Sequence, residues 1–122
     1  MAITDRKAGA VHERRKQLVE EIRTAERARD LLAGLERGLK GKDRSDLEEH
    51  LGHLDRLAAS LPEGHTVRLV VEDTTRYARN ARTHSTGKAG EVAGRSRSKT
   101  EGRISTLRGI IEREDALASK EE

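Results

Sequence analysis

Apolar residues recur every three or four positions over the first third of the chain. From Leu18 to Leu39 these positions carry Leu, Ile or Ala, with a mean spacing of about 3.5 residues, which places them on one face of a helix. Charged residues fill the other faces. The pattern predicts a helix over residues 10–39, which ends where Gly38 and Gly41 permit left-handed backbone.

A second apolar stripe runs from Leu47 to Leu61 with the same spacing. Ser45 and Glu48 stand three residues apart at its start, as in a capping box, and Pro62 and Gly64 follow it. These signals predict a second helix. Because the link from the first helix is short, we expect the two helices to be antiparallel neighbours.

The two stripes together form an apolar seam, which we expect to be both the core of this hairpin and a surface for self-association. The residues of the apolar seam are Leu18, Ile22, Ala25, Leu32, Leu35, Leu39, Leu47, Leu51, Leu54 and Leu61.

Residues 66–83 fit two interpretations. Val67, Leu69 and Val71 alternate as in a strand, whereas Val67, Val71, Thr74 and Ala78 follow helical spacing. The chain offers no second strand with which to pair, and an unpaired strand would leave its backbone groups unsatisfied. We therefore predict a third helix.

Residues 84–99 are small, polar and basic, and contain Gly87, Gly90 and Gly94. Because glycine weakens a helix by about 1 kcal/mol relative to alanine, we predict a flexible linker here. The alternative is a continuous helix in which Ala89, Gly90, Ala93 and Gly94 allow a neighbouring backbone to approach closely.

A C-terminal helix is predicted over residues 100–118, with one apolar side. That side would bury Ile104, Leu107, Ile110, Ile111 and Leu117.

The predicted fold class is therefore all-α: an antiparallel helical hairpin extended to a three- or four-helix, coiled-coil-like bundle. A flexible N-terminus, residues 1–9, would precede the hairpin and third helix of residues 10–83. A frayed tail, residues 119–122, would follow the C-terminal helix.

Composition adds the expectation of a partner. Leu, Ile and Val make up about a fifth of the 122 residues, and Phe and Trp are absent, so a single chain has little to bury. Self-association or a protein partner would supplement that core. Cysteine is also absent, so the chain forms no disulfide and no thiolate metal site.

Charge is unevenly distributed along the chain. Residues 41–75 and 112–122 are acidic, whereas the stretch from Arg76 to Arg108 is strongly basic. The basic stretch suggests contacts with the phosphate backbone of nucleic acids, without base recognition. The predicted polyanion-binding residues are Arg76, Arg79, Arg82, Lys88, Arg95, Arg97, Lys99 and Arg103. The alternative is that these cations pair with the acidic segments, within or between chains.

No motif predicts catalysis or a cofactor. His50 and His53 have a spacing that could suit a metal, but no further ligands accompany them, and the glycines near Lys88 do not match a phosphate loop. The charged stretch from Met1 to Lys16 is unlike a signal peptide, and no apolar run could cross a membrane.

We therefore predict a cytoplasmic, non-enzymatic assembly or adaptor protein that self-associates through the apolar seam. The alternative prediction is a nucleic-acid-binding protein without sequence specificity.

Overall fold

Four α-helices make up the fold in a computed structural model, which describes residues 2–41, 45–81 and 86–121, with side chains for 11–41, 45–81 and 87–119. The helices are α1 (Ala2–Lys40), α2 (Leu47–Ala59), α3 (Thr66–Asn80) and α4 (Thr86–Glu121). The described residues form no strand, which confirms the predicted all-α class and the helical interpretation of Val67 to Ala78.

Each helix runs antiparallel to the one before it in a four-helix bundle. α1 lies beside α2 and α4, and α3 lies beside the same two helices, so that α1 and α3 are diagonal neighbours. The two long helices differ greatly in length from the two short ones: at 1.5 Å per residue, α1 and α4 extend over roughly 55 Å, and α2 and α3 over roughly 20 Å. The short helices therefore cover only part of the long pair.

One contiguous core runs between the four helices. Its largest fully buried side chains are Leu32 and Leu35 of α1, Leu54 of α2, Val71 of α3 and Leu107 of α4. Every helix contributes an apolar stripe, so that the core closes within one chain.

The α2–α3 turn is built by its local sequence. Gly64 has a φ of 82°, a left-handed conformation that suits glycine because no Cβ opposes it. His65 then caps α3, since its Nδ1 accepts a hydrogen bond from the backbone N–H of Val67 at 3.1 Å. Arg68 ties α3 to the turn by donating from Nη1 to the Leu61 carbonyl at 2.6 Å.

The structure corrects the predicted linker over residues 84–99. α4 begins at Thr86, so its first fourteen residues occupy most of that segment, and residues 84 and 85 lie outside the described residues. Ala89 and Ala93 are almost completely buried, and Gly90 lies against Leu39 and Lys40 of α1. Close approach to α1 stabilises this part of α4 and offsets the low helix propensity of glycine.

Both ends of the chain are also more helical than predicted. α1 starts at Ala2 within the stretch expected to be flexible, and α4 continues to Glu121 through most of the expected frayed tail.

Two local predictions were also wrong. The N-cap residue of α2 is Asp46 rather than Ser45, one position later than the capping-box pattern indicated. Leu117, predicted on the buried side of the last helix, is 61% exposed.

Candidate interaction surfaces

The residues of the apolar seam lie inside the bundle. Ile22, Ala25, Leu32, Leu35, Leu39, Leu47, Leu51 and Leu54 are buried, whereas Leu18 and Leu61 are partly buried against the core. α3 and α4 complete the burial that the hairpin alone could not provide. The predicted seam is therefore a core of one chain, and its use between chains would require the bundle to open.

The four-helix cross-section ends at the α2–α3 turn. Gly64 and His65 in that turn line one small pocket together with Ala25 of α1 and Leu107 of α4. The short helices therefore end at the level of Ala25 and Leu107 along the two long helices. Beyond that level α1 and α4 are the only helices among the described residues. We call this end, residues 11–20 of α1 and 108–119 of α4, the distal pair.

Apolar side chains of the distal pair are poorly covered. Val11 is 60% exposed and Leu117 is 61% exposed, whereas Leu18, Ile110 and Ile111 are partly buried. Two helices can bury only the strip along which they touch, so the flanks of that strip face solvent. The distal pair is the first candidate interaction surface.

Charged residues connect the two helices of the distal pair. Arg14 Nε donates to Glu114 Oε1 at 2.7 Å, and Arg15 pairs with Asp115. These side chains are between about a third and two thirds exposed, so each pair contributes about 1 kcal/mol at most. The ion pairs fix the register of the two helices but leave the neighbouring aliphatics exposed.

Several of the predicted polyanion-binding residues pair with carboxylates on other helices. Arg79 of α3 holds Asp55 of α2 with two hydrogen bonds, one of them 3.1 Å between Nη1 and Oδ1. Arg103 Nη2 of α4 lies 3.6 Å from Glu21 Oε2 of α1.

Arg97 makes the most buried of these contacts. Its Nε donates to Glu36 Oε2 of α1 at 2.9 Å, and its Nη1 donates to Glu101 at 3.1 Å. The hydrogen bond from Arg97 lowers the pKa of the Glu36 carboxyl from its ordinary value, and the same bond raises the pKa of Arg97. Arg97 is therefore a link between α1 and α4.

The remaining predicted cations that lie within the described residues are exposed. Arg76 Nη1 lies 3.6 Å from Asp73 Oδ1, and Arg95 Nη2 lies 4.0 Å from Glu91 Oε2, both contacts within one helix. Lys88 and Lys99 are exposed without an ion pair to any described residue. Arg82 lies outside the described residues.

The predicted cations therefore do not form one continuous basic face. Arg79 points to α2, and Arg97 and Arg103 reach α1, so these charges are already partly neutralised by neighbouring carboxylates. Some partners belong to the acidic segment, as the alternative interpretation expected, but Glu21 and Glu36 of α1 were not anticipated. Nucleic-acid binding stays a prediction, which a gel-shift assay over a salt titration would test.

A groove between α3 and α4 is the second candidate surface. Two adjoining pockets of about 250 and 240 Å³ meet at Val70 and Lys99. We call them together the α3/α4 groove. Sequence reasoning missed this groove, because Val70 and Val92 lie on different helices and only the observed crossing of α3 and α4 places them side by side.

The sequence does contain a pattern that identifies Val11 as a continuation of the apolar seam. Val11 precedes Leu18 by seven residues and so extends the seam by one heptad.

Sites for metals or membranes are not indicated in the described part of the chain. No group of three potential metal ligands occurs among those residues, and none of their helices is long and apolar enough to cross a bilayer. His50, one of the two histidines with metal-like spacing, is partly buried and packs against Gly34 and Gly38 of α1. In this position it contributes to the α1–α2 contact.

No protein-family model matches the chain, and no match to it was found among curated proteins or among solved structures.

Proposed function

We propose that this chain is a non-enzymatic helical assembly protein, which acts by self-association and by contacts with other macromolecules. The observation that carries this proposal is the distal pair, where α1 and α4 continue beyond the short helices with Val11 and Leu117 largely exposed. Aliphatic side chains that face water on a helix pair gain free energy when a further helix covers them.

The proposal moves the contact between copies away from the apolar seam. Of the seam, only Leu18 lies in the distal pair, and the other members are occupied by the core of the same chain. A second copy would add its own helices to the distal pair and restore a four-helix cross-section there. The core of each chain would stay closed in such an assembly.

The expected association is weak. The distal pair covers ten residues of α1 and twelve of α4, or roughly 15–18 Å, which is short for an interface between two stable partners. We therefore expect dissociation at low micromolar concentration and association as the concentration rises.

Sedimentation equilibrium over a wide concentration range tests this proposal. The wild-type mass should rise above the 13.6 kDa of one chain with increasing concentration. The double variant Val11→Glu, Leu117→Glu should remain monomeric with unchanged helicity, because both side chains are exposed in the single chain. Leu69→Glu, which changes an exposed leucine of α3 outside the distal pair, is the matched control and should associate like the wild type.

A wild-type chain that stays monomeric at the highest concentration would refute self-association. Equal loss of association in the double variant and in Leu69→Glu would refute the distal pair as the contact.

A further inference from the structure

The α3/α4 groove combines an apolar floor with a basic rim. Val67 and Val70 of α3 and Val92 of α4 line its two pockets, and Tyr77 stands at one end. In the pocket that contains Val67 nearly all of the exposed lining is apolar. Val67 is buried beneath this surface, whereas Val70 and Val92 stay partly exposed although the chain has few aliphatic residues to spare.

The polar groups beneath the groove are satisfied within the bundle. Thr74 Oγ1 donates to the Val70 carbonyl at 2.7 Å and also lies 2.7 Å from Ser96 Oγ, which joins α3 to α4. Thr100 Oγ1 donates to the Ser96 carbonyl at 2.8 Å. Because these hydroxyls already have hydrogen-bond partners within the bundle, they need no polar group from a ligand. The floor of the groove therefore favours an apolar ligand.

The length of the groove suits a short helix. Val67 and Tyr77 are ten residues apart, which corresponds to about 15 Å or almost three helical turns. Recognition of an amphipathic helix in a groove uses anchors at successive turns over a comparable distance.

The charges at the rim select the partner. Lys99 is exposed and pairs with no described carboxylate, and Arg103 is about half exposed with its nearest carboxylate, Glu21, 3.6 Å away. Arg95, one turn before Lys99 and outside the pocket lining, has a side chain that is 78% exposed and lies 4.0 Å from Glu91. Asp73 is the acidic residue of the lining and lies near Arg76. The α4 side of the groove is thus basic, which favours acidic side chains flanking an apolar stripe.

From these observations we infer that the α3/α4 groove binds an acidic amphipathic helix of a partner protein. Apolar side chains of that helix would contact Val70 and Val92, while its carboxylates would face Lys99 and Arg103. A nucleic-acid backbone would use the rim cations but would leave the apolar floor uncovered. The groove shares no residue with the distal pair, so this inference does not depend on self-association.

Nuclear magnetic resonance titration of the full chain provides the test. The probe is a synthetic helical peptide of about 16 residues, with leucines at successive turns and glutamates on the flanks; in its counterpart every glutamate is lysine. The acidic peptide should shift amide resonances along Val67 to Tyr77 and Val92 to Arg103. The basic counterpart should bind at least about tenfold more weakly.

Three variants localise the binding. Lys99→Glu reverses the rim charge and Val70→Lys obstructs the floor, and each should weaken binding of the acidic peptide about tenfold or more. Leu69→Lys, a matched change of an exposed α3 residue outside the groove, should leave the affinity unchanged. Because Lys99 is exposed, its variant should fold normally, which circular dichroism would verify.

Equal binding of the two peptides, or retained binding in Lys99→Glu, would overturn the inference. So would a duplex DNA probe that shifts these amides when neither peptide does, because the rim would then serve a polyanion.

Discussion

The four-helix part of the molecule and the distal pair are built from the same two long helices, yet only the first has a closed core. Between Ile22 and Leu39, the interior positions of α1 face α2, α3 and α4 and are buried. Val11 lies seven residues before Leu18, in the same helical register, and is 60% exposed. Helical periodicity therefore marks residues that are able to be buried, whereas the number of neighbouring helices decides whether they are buried.

The contact between α1 and α4 also changes character along its length. In the four-helix part it combines the Arg97–Glu36 ion pair with Ala93, Gly90 and Gly94, which allow α4 to approach α1 closely. In the distal pair it uses ion pairs such as that between Arg14 and Glu114. Close packing of small residues contributes dispersion and apolar burial, whereas exposed ion pairs contribute little. We therefore expect the two regions to differ strongly in stability.

The largest difference in the free energy of unfolding should come from placing a charged residue in each of the two regions. Leu54→Asp puts a carboxylate at a fully buried site without a partner, which costs several kcal/mol, a large fraction of the free energy of unfolding of a small domain. Leu117→Asp changes an exposed residue of the distal pair and should alter that free energy by only about 0.5 kcal/mol or less. Urea unfolding followed by circular dichroism measures both. Similar losses would show that the distal pair belongs to the closed core.

A smaller contrast is expected between two glycines of α4. A Cβ at Gly90 would lie 2.7 Å from Lys40 Cγ, whereas a Cβ at Gly102 would meet nothing within 4 Å. Gly102→Ala should stabilise the protein by about 1 kcal/mol through helix propensity. Because its Cβ would clash with Lys40, Gly90→Ala should leave the protein at least about 1 kcal/mol less stable than Gly102→Ala does. Thermal unfolding compares the two, and equal gains would contradict a close α1–α4 contact at Gly90.

The smallest effect concerns pH and Glu36. The Arg97 hydrogen bond lowers the pKa of Glu36 in the folded chain, so the ionised carboxylate stabilises the fold at neutral pH. This contribution is complete above the ordinary carboxyl pKa of the unfolded chain and is lost as the pH falls through the lower pKa of Glu36 in the folded chain. Glu36→Gln should therefore cost about 0.5 kcal/mol at pH 7.

The matched control for this prediction is Glu91→Gln, which affects an exposed contact of 4.0 Å to Arg95. Unfolding at several pH values should show the difference between wild type and Glu36→Gln shrinking in acid. A difference that stays constant, or one equally large for Glu91→Gln, would argue against the assigned role of the Arg97–Glu36 pair.

Much of the fold follows from local pattern. The stripes from Leu18 to Leu39 and from Leu47 to Leu61 predicted α1 and α2, and the lack of a strand partner predicted that Val67 lies in a helix rather than in a strand. These inferences succeed because an amphipathic helix needs only its own sequence and some apolar surface to pack against.

The start of α4 could not be predicted in the same way. Gly90 and Gly94 lower helix propensity locally, and the compensating contact comes from Leu39, Lys40 and Glu36, about fifty to sixty residues earlier. The α3/α4 groove is hidden for a similar reason, since it exists only where two helices cross. Periodicity likewise placed Leu117 on an apolar side without revealing that α2 and α3 end before reaching it.

Amide hydrogen exchange at two protein concentrations tests the central claim most directly, namely that the core closes within one chain and the distal pair lies outside it. Amides of Ile22 to Leu39 and of Ala93 to Leu107 should share the slowest exchange, close to global unfolding, at both concentrations. Amides in the distal pair should exchange faster and become slower at the higher concentration. Uniform protection along α1 and α4, or core protection that is lost on dilution, would contradict the account.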